Sequence, residues 1–317
     1  MELKHSDLKL LTYLYSHARE PSTKIAKAIG LSREQVDYKI KKLLDSGTIK
    51  KFGTIFNYGA LGYSFYALLM IKFSKQIYAK KFHESKEKDG NLISKGIILN
   101  KYDIFMNLVF KDENEFRNYL SSFLEKQKGK ISDYLIVNPY FAELYPLKFL
   151  ENRQEILMWN ISSDKISLDK KDIQILKMLE KDGRERIVDI AASLKVSPEL
   201  ILYNIKKLYE KKIIVGQRIA FDMKRLGYSL SIVSMNFKNP SRENMEKIKS
   251  FAKKSKYANT LILSVSNPNC FIQFFHKSIE ELRKEIKDIK ELFDNEEISI
   301  DVLFVEAEEE INTLPFL

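Results

Sequence analysis

Two short stretches carry residue types suited to recognising nucleic acid. SREQVDYKIKKL runs from Ser32 to Leu43, and SPELILYNIKKL runs from Ser197 to Leu208. In the first, Arg33, Gln35 and Tyr38 are expected at base edges, since Arg suits guanine and Gln suits adenine through paired hydrogen bonds. Lys39, Lys41, Lys42, Lys50 and Lys51 are expected at phosphates, contacts that position a protein without specifying sequence. The second stretch is poorer. Pro198, Leu200 and Leu202 stand where the first has Arg33, Gln35 and Asp37. That leaves Tyr203, Asn204, Lys206, Lys207 and Arg218 as candidate contacts. Exposed leucines there suit either thymine methyls or a protein-binding face. Two unequal reading heads imply an asymmetric or imperfectly palindromic binding site. The alternative for each polar side chain is plain solvated surface.

Other chemistry is thinner. His5, His17, His83 and His276 are isolated, with no Cys, His or acid at metal-ligand spacing. No glycine-rich phosphate loop occurs, so no catalytic residue, metal or cofactor is expected. The one cysteine, Cys270, excludes an internal disulfide framework and fits a reducing cytosol.

The two stretches are matched parts of a duplication. At an offset of 165, Asp7 through Tyr63 pairs without gaps with Asp172 through Tyr228, and 19 of the 57 pairs are identical. A repeat of such length is to be read before anything else. In the first copy, Ser6 is expected to cap a helix that buries Leu8, Leu10, Leu11, Leu14 and Tyr15. Ser22 caps a second helix with Ile25, Ala26 and Ile29 inward. Gly30-Leu31 makes a tight turn, and Ser32 caps a third helix with Val36, Ile40, Leu43 and Leu44 inward. Helix, turn, helix is an arrangement whose second member enters the major groove. Residues 49 to 55 are expected to fold back through Gly53 as a small wing. In the second copy Ser167 or Asp169 caps the first helix. Ser197-Pro198 opens the third with a cap and a proline at the first helical position. The second wing runs from 213 to 219.

Each helical unit is followed by strand-helix-strand-strand-helix-strand. The expected segments are 65–73, 75–88, 92–99, 104–110, 113–126 and 131–137, then 230–237, 242–254, 260–266, 271–276, 279–292 and 298–305. This is the split βαβ, ferredoxin-like order, which leaves one sheet face open for a partner. Trp159 falls in the connection between the copies and reads as core or linker packing. Glu306, Glu308, Glu309 and Glu310 read as a short acidic tail.

Composition agrees with this division. The chain has 317 residues, 53 Lys and Arg against 43 Asp and Glu, and 44% hydrophobic residues. A net charge of +10 suggests a polyanionic partner. Residues 1–62 hold eleven basic and six acidic side chains, and 167–227 hold fourteen and nine. Residues 228–317 hold twelve basic against fifteen acidic. Basic charge thus stays on both helical units, where counterion release would supply affinity. The Met1 end shows no long apolar region behind a basic start, and the most apolar run is far short of the ~18–20 residues of a membrane helix. The expectation is a cytoplasmic protein with no membrane partner.

DLKLLTYL, KIAKAIGLSREQVDYKIKKLLDSGTI and the LGY before the first sheet strand resemble the Lrp/AsnC (feast/famine) regulators. So do DIQILKMLEKDGR, DIAASLKVSPELILYNIKKLYEKKII and the second LGY. The resemblance covers nearly the whole chain, twice. It implies an α+β fold: two winged helix-turn-helix domains (1–63, 167–228) and two ferredoxin-like (βαββαβ) RAM-type domains (64–148, 229–317), with a linker at 149–166. Family members dimerise through their sheets, so the two sheets here are expected to face each other as an internal pseudo-dimer, with higher homo-oligomers open to it. Double-stranded DNA is the implied partner, and a small-molecule effector at the sheet domains is implied as well. The family's glycine-containing loop before a Tyr-Asp pair is half present: Tyr102-Asp103 stand, but Asn100-Lys101 occupy the glycine region. Two alternatives share the architecture. One is a tetrapyrrole enzyme like the siroheme decarboxylases, which calls for histidines and arginines around a cavity. The other is a protein-interaction scaffold with degenerate helices.

Overall fold

The computed structural model describes residues 3–85, 89–149, 157–159, 164–294 and 297–316. The first head is α1 (His5–His17), α2 (Ser22–Ile29) and α3 (Arg33–Asp45), followed by strand β1 (Ile49–Phe56). Ser32 caps α3 as expected: its hydroxyl accepts from the Gln35 amide, and the Gln35 side chain reaches back to the Ser32 amide. Ser6 and Ser22 are not caps. Lys4 and Pro21 hold those positions, and both serines lie inside their helices. Leu44 is exposed rather than part of the core. The second head repeats the order as α6 (Lys170–Lys181), α7 (Ile187–Leu194), α8 (Pro198–Glu210) and β8 (Ile214–Phe221). Asp169 and Ser197 cap α6 and α8.

Neither wing is a hairpin. β1 runs straight and pairs antiparallel with β8 of the other copy, with Gly53 opposite Arg218. Consequently each head completes its core with the other copy's strand. Ile219 packs into the first head among Leu10, Leu14 and Ile25, while Phe56 packs into the second among Ile175, Leu176 and Ile190. Local pattern marks these stretches as strands; the partner is fixed by two apolar half-cores that each lack a wall. Gly183, in the turn after α6, closes on this ribbon. Its amide donates to the Phe52 carbonyl at 2.8 Å, and a Cβ there would lie 3.1 Å from the Gly53 backbone.

The sheet units follow the expected order. The first is β2 (Phe65–Phe73), α4 (Gln76–Glu84), β3 (Leu92–Ile98), β4 (Ile104–Phe110), α5 (Glu113–Lys126) and β5 (Ile131–Val137). The second is β9 (Ser229–Phe237), α9 (Arg242–Lys254), β10 (Ala258–Ser264), β11 (Cys270–His276), α10 (Ile279–Leu292) and β12 (Ile298–Glu310). Residues 86–88, the end of the first expected sheet helix, lie outside the described residues.

The two units share one ten-stranded sheet. β12 is longer than expected: residues 298–305 pair with β9, and residues 305–310 cross to pair with β3. The expected acidic tail is therefore strand. The first copy does the same with β5, on β2, and β6 (Pro139–Leu144), on β10. The two faces that would be open in isolated units meet inside: Leu68, Met70 and Phe105 from one copy pack with Ile232, Phe271 and Leu303 from the other. In the connection, expected only as a linker, β7 (Leu157–Trp159) adds to β6. The Trp159 side chain lies outside the described residues.

Candidate nucleic-acid interface

On α3, Tyr38 is 67% exposed and Arg33, Lys41 and Lys42 are exposed with it. Lys50, at the start of β1, is exposed too. Arg33 lies one helical turn before Asp37, Nε to Oδ2 3.6 Å. An exposed pair of this kind is worth little and is readily exchanged for another partner.

Three first-copy candidates are committed elsewhere. Gln35 Oε1 accepts from the Ser32 amide at 2.9 Å, so its acceptor serves the cap instead of an adenine. Lys39 turns inward and donates to Asp7 Oδ1 at 2.6 Å, tying α3 to α1. Burial alone would push the Asp7 carboxyl up; the Lys39 hydrogen bond and the Lys4 amide hold it below its ordinary value. Lys51 pairs with Glu180 at 2.8 Å and Glu310 at 3.3 Å. Burial would lower the Lys51 pKa, yet the Glu180 bond and the Glu310 charge raise it.

In the second head, Tyr203 is 64% exposed and Lys206 is exposed. Asn204 is buried. Lys207 approaches the buried Asp172 at 3.5 Å, the same service that Lys39 gives Asp7. Arg218 is half-buried on β8, where burial is outweighed by Tyr15, Glu310 and Glu308, and its pKa is raised. It belongs to the charged cluster between the ribbon and the end of β12 and does not reach outward. The surviving outward set is Arg33, Tyr38, Lys41, Lys42 and Lys50 in one head against Tyr203 and Lys206 in the other.

Residues outside the candidate set fix the heads to each other. Arg19 Nη1 donates to the Gly183 carbonyl at 2.8 Å, and Arg184 Nη1 donates to the Ala18 carbonyl at 2.9 Å. The signal was present, since Arg19 and Arg184 are matched positions of the repeat.

The loop between β3 and β4 is held against β12. Asn100 Nδ2 donates to the Val302 carbonyl at 2.7 Å, and Asn100 Oδ1 accepts from the Phe304 amide at 2.9 Å. Asp103 accepts from Lys72 and from the Phe73 amide. His276 is buried: Nδ1 faces the Ser278 carbonyl at 3.0 Å and Nε2 faces Ser231 Oγ at 2.9 Å. A carbonyl only accepts, so Nδ1 carries the proton and the serine donates to Nε2. Among the described residues no group of three or more His, Cys, Asp or Glu is placed to hold a metal. No helix among them is long and apolar enough to cross a membrane.

Two copies of a capped three-helix unit, each offering a third helix to solvent, define a winged helix-turn-helix protein. A model of the winged helix-turn-helix DNA-binding family matches residues 3–50 and again 168–215. The HTH-type transcriptional regulator FL11 of Pyrococcus abyssi is 32% identical over 127 residues, which are 39% of this chain and 80% of that one. FL11 of Pyrococcus horikoshii is 30% identical over 121 residues, 37% and 78% of the two chains. LrpA of Pyrococcus horikoshii is 37% identical over 86 residues, 26% and 61%. The chain belongs to the Lrp/AsnC family of helix-turn-helix regulators and carries its unit twice. Over 96% of its length it also shares the fold of the siroheme decarboxylase NirDL, with a TM-score of 0.64, 16% identity and 92% of that chain covered.

Proposed function

We propose that this chain is a sequence-specific, double-stranded DNA-binding transcriptional regulator with one strong and one weak reading head. The observation that carries this is the contrast between the exposed faces of α3 and α8. α3 offers Arg33 and Tyr38 to base edges, with Lys41, Lys42 and Lys50 placed for phosphates; α8 offers Tyr203 and Lys206. Base contacts specify and phosphate contacts position, so an operator dominated by one half-site follows. In this reading residues 1–63 and 167–228 act on DNA, and 64–148 and 229–317 hold the heads in register. The protein works in the cytoplasm. An effector, if the sheet units take one, must displace the Asn100 bonds to β12 to enter the loop that the resemblance points to.

The likeness to NirDL supports the two-copy architecture. His276 is withheld from a tetrapyrrole ligand, because both of its ring nitrogens are committed inside the fold. The test is binding of the purified protein to fragments of its own genome across a salt series, with absorption spectra recorded after incubation with a tetrapyrrole. Selective retention of fragments, weakening steeply with salt, supports the regulator. No retention at low salt, or a tetrapyrrole band at one equivalent, sinks it.

A further inference from the structure

The outer face of α8 differs from that of α3 in a concerted way. In the first head Asp37 accepts from Ser22 Oγ at 2.5 Å and lies 3.6 Å from Arg33 Nε. The matched positions in the second head are Leu202, Ile187 and Pro198. A polar trio has become an apolar one, with Ile187 turned onto the core of the second head and Leu202 left outward. Leu202 is 61% exposed beside Tyr203, which is 64% exposed. Apolar side chains gathered at one place on a soluble surface mark a contact site.

The charges around this patch select the occupant. Along the exposed stripe of α8, Glu199 lies three residues before Leu202 and Lys206 three residues after Tyr203. Place a two-fold axis across the helix between Leu202 and Tyr203. A second α8, antiparallel to the first, then sets Glu199 opposite the other Lys206, and Lys206 opposite the other Glu199. Leu202 meets Tyr203. Two oppositely charged pairs arise from one operation, as an isologous contact requires. Glu199 and Lys206 are exposed, and the 3.7 Å pair of Lys206 with Glu210 on its own helix is an exposed one that is readily exchanged. α3 keeps the flanking charges as Glu34 and Lys41, but its centre is Asp37, and the same operation would bury two carboxylates.

We propose that the outer face of α8 is a self-association surface that joins two copies of this chain through antiparallel α8 helices. The proposal rests on the reading of α3 as the head that specifies DNA. A paired assembly would present two such heads, while Tyr203 and Lys206, the weak head's contacts with DNA in the monomer, would be taken up by the dimer. One helix against one helix is a small interface, at the low end of specific contacts, so the dimer is transient and concentration-dependent.

Sedimentation equilibrium of the full chain without DNA, from micromolar to near-millimolar concentration, tests it. The wild type is expected to dimerise reversibly. Leu202→Asp, which restores the residue type of α3, is expected to abolish the dimer. Glu199→Lys and Lys206→Glu are each expected to weaken it at least about tenfold, and Glu199→Lys/Lys206→Glu in one chain to recover it within about threefold, because both cross-pairs are rebuilt. This recovery separates a charge contact from misfolding. A wild type that stays monomeric overturns the proposal; so does a dimer indifferent to Leu202→Asp, or a double variant no better than the singles. DNA retention by dilute wild-type protein is measured separately, so failure of the dimer and failure of the regulator reading are told apart.

Discussion

Arg19 and Arg184 occupy matched positions of the duplication, and each hydrogen-bonds the backbone beside the other: Arg19 to the Gly183 carbonyl, Arg184 to the Ala18 carbonyl. Both guanidiniums are held mostly out of water, and burial lowers both pKa values. Arg184 also donates to Ser22 Oγ at 3.1 Å. A charged donor to a backbone acceptor contributes about 1.5–3 kcal/mol. Arg19→Ala and Arg184→Ala should each lower global stability by about that much, with Arg184→Ala the worse. Denaturant unfolding checks this, and two unchanged midpoints would contradict the clasp.

DNA affinity should depend on the outward set alone. Lys41→Ala/Lys42→Ala should weaken binding and reduce the slope of log affinity against log salt by about 1 per lost phosphate contact. Tyr38→Ala should weaken binding to the preferred fragment more than to unrelated DNA. Fluorescence anisotropy at several salt concentrations separates the two patterns. A double lysine variant with the wild-type slope would remove these residues from the interface.

Lys39 and Lys41 are two residues apart and should behave oppositely. Lys39→Met leaves Asp7 buried without its partner and should cost about 1–3 kcal/mol. Lys41→Ala should change stability by under about 0.5 kcal/mol. Equal unfolding midpoints for the two variants would show that the Asp7–Lys39 pair does not hold α3 to α1.

Gly96→Ala should break the seam between the halves. A Cβ at Gly96 would lie 2.2 Å from the Phe105 ring and 2.5 Å from the Ala307 carbonyl, across the β3–β12 pairing. Neither the strand backbone nor the enclosed ring can retreat by an ångström without opening the core, so a loss of about 3 kcal/mol is expected. A wild-type melting temperature would contradict this packing.

His276 gives stability a pH dependence of defined sign. Burial lowers its pKa below the ordinary 6.5, despite the Ser278 carbonyl and Glu281. The unfolded chain then takes up a proton at higher pH than the folded one. Stability therefore falls as pH drops below about 6.5 toward the lower folded value, and is regained above it. His276→Gln should be less stable at neutral pH but flatter between pH 7.5 and 5.5. Parallel curves for the two proteins would mean that the imidazole does not titrate differently on folding.

The local elements and their repetition are legible in the order of residues alone. Ser32, Asp169 and Ser197 sit before helices with apolar residues at helical spacing, and a cap acts within three residues of itself. The same locality made Arg33, Tyr38, Lys41 and Tyr203 readable as outward positions on their helices. Tertiary structure decided whatever depends on residues far apart in the chain. β1 pairs with β8 and not with itself, because each head lacks one wall of its core. β12 runs on to Glu310 because β3 offers an unpaired edge, so four residues that read as a tail became strand. Lys39, Lys51, Lys207 and Arg218 read as surface cations in the sequence because charge alone says nothing of which carboxylate will face them. Asp7, Glu180, Asp172 and the glutamates of β12 are brought to them from other elements, and a lysine beside a buried carboxylate pairs with it before it can pair with a phosphate.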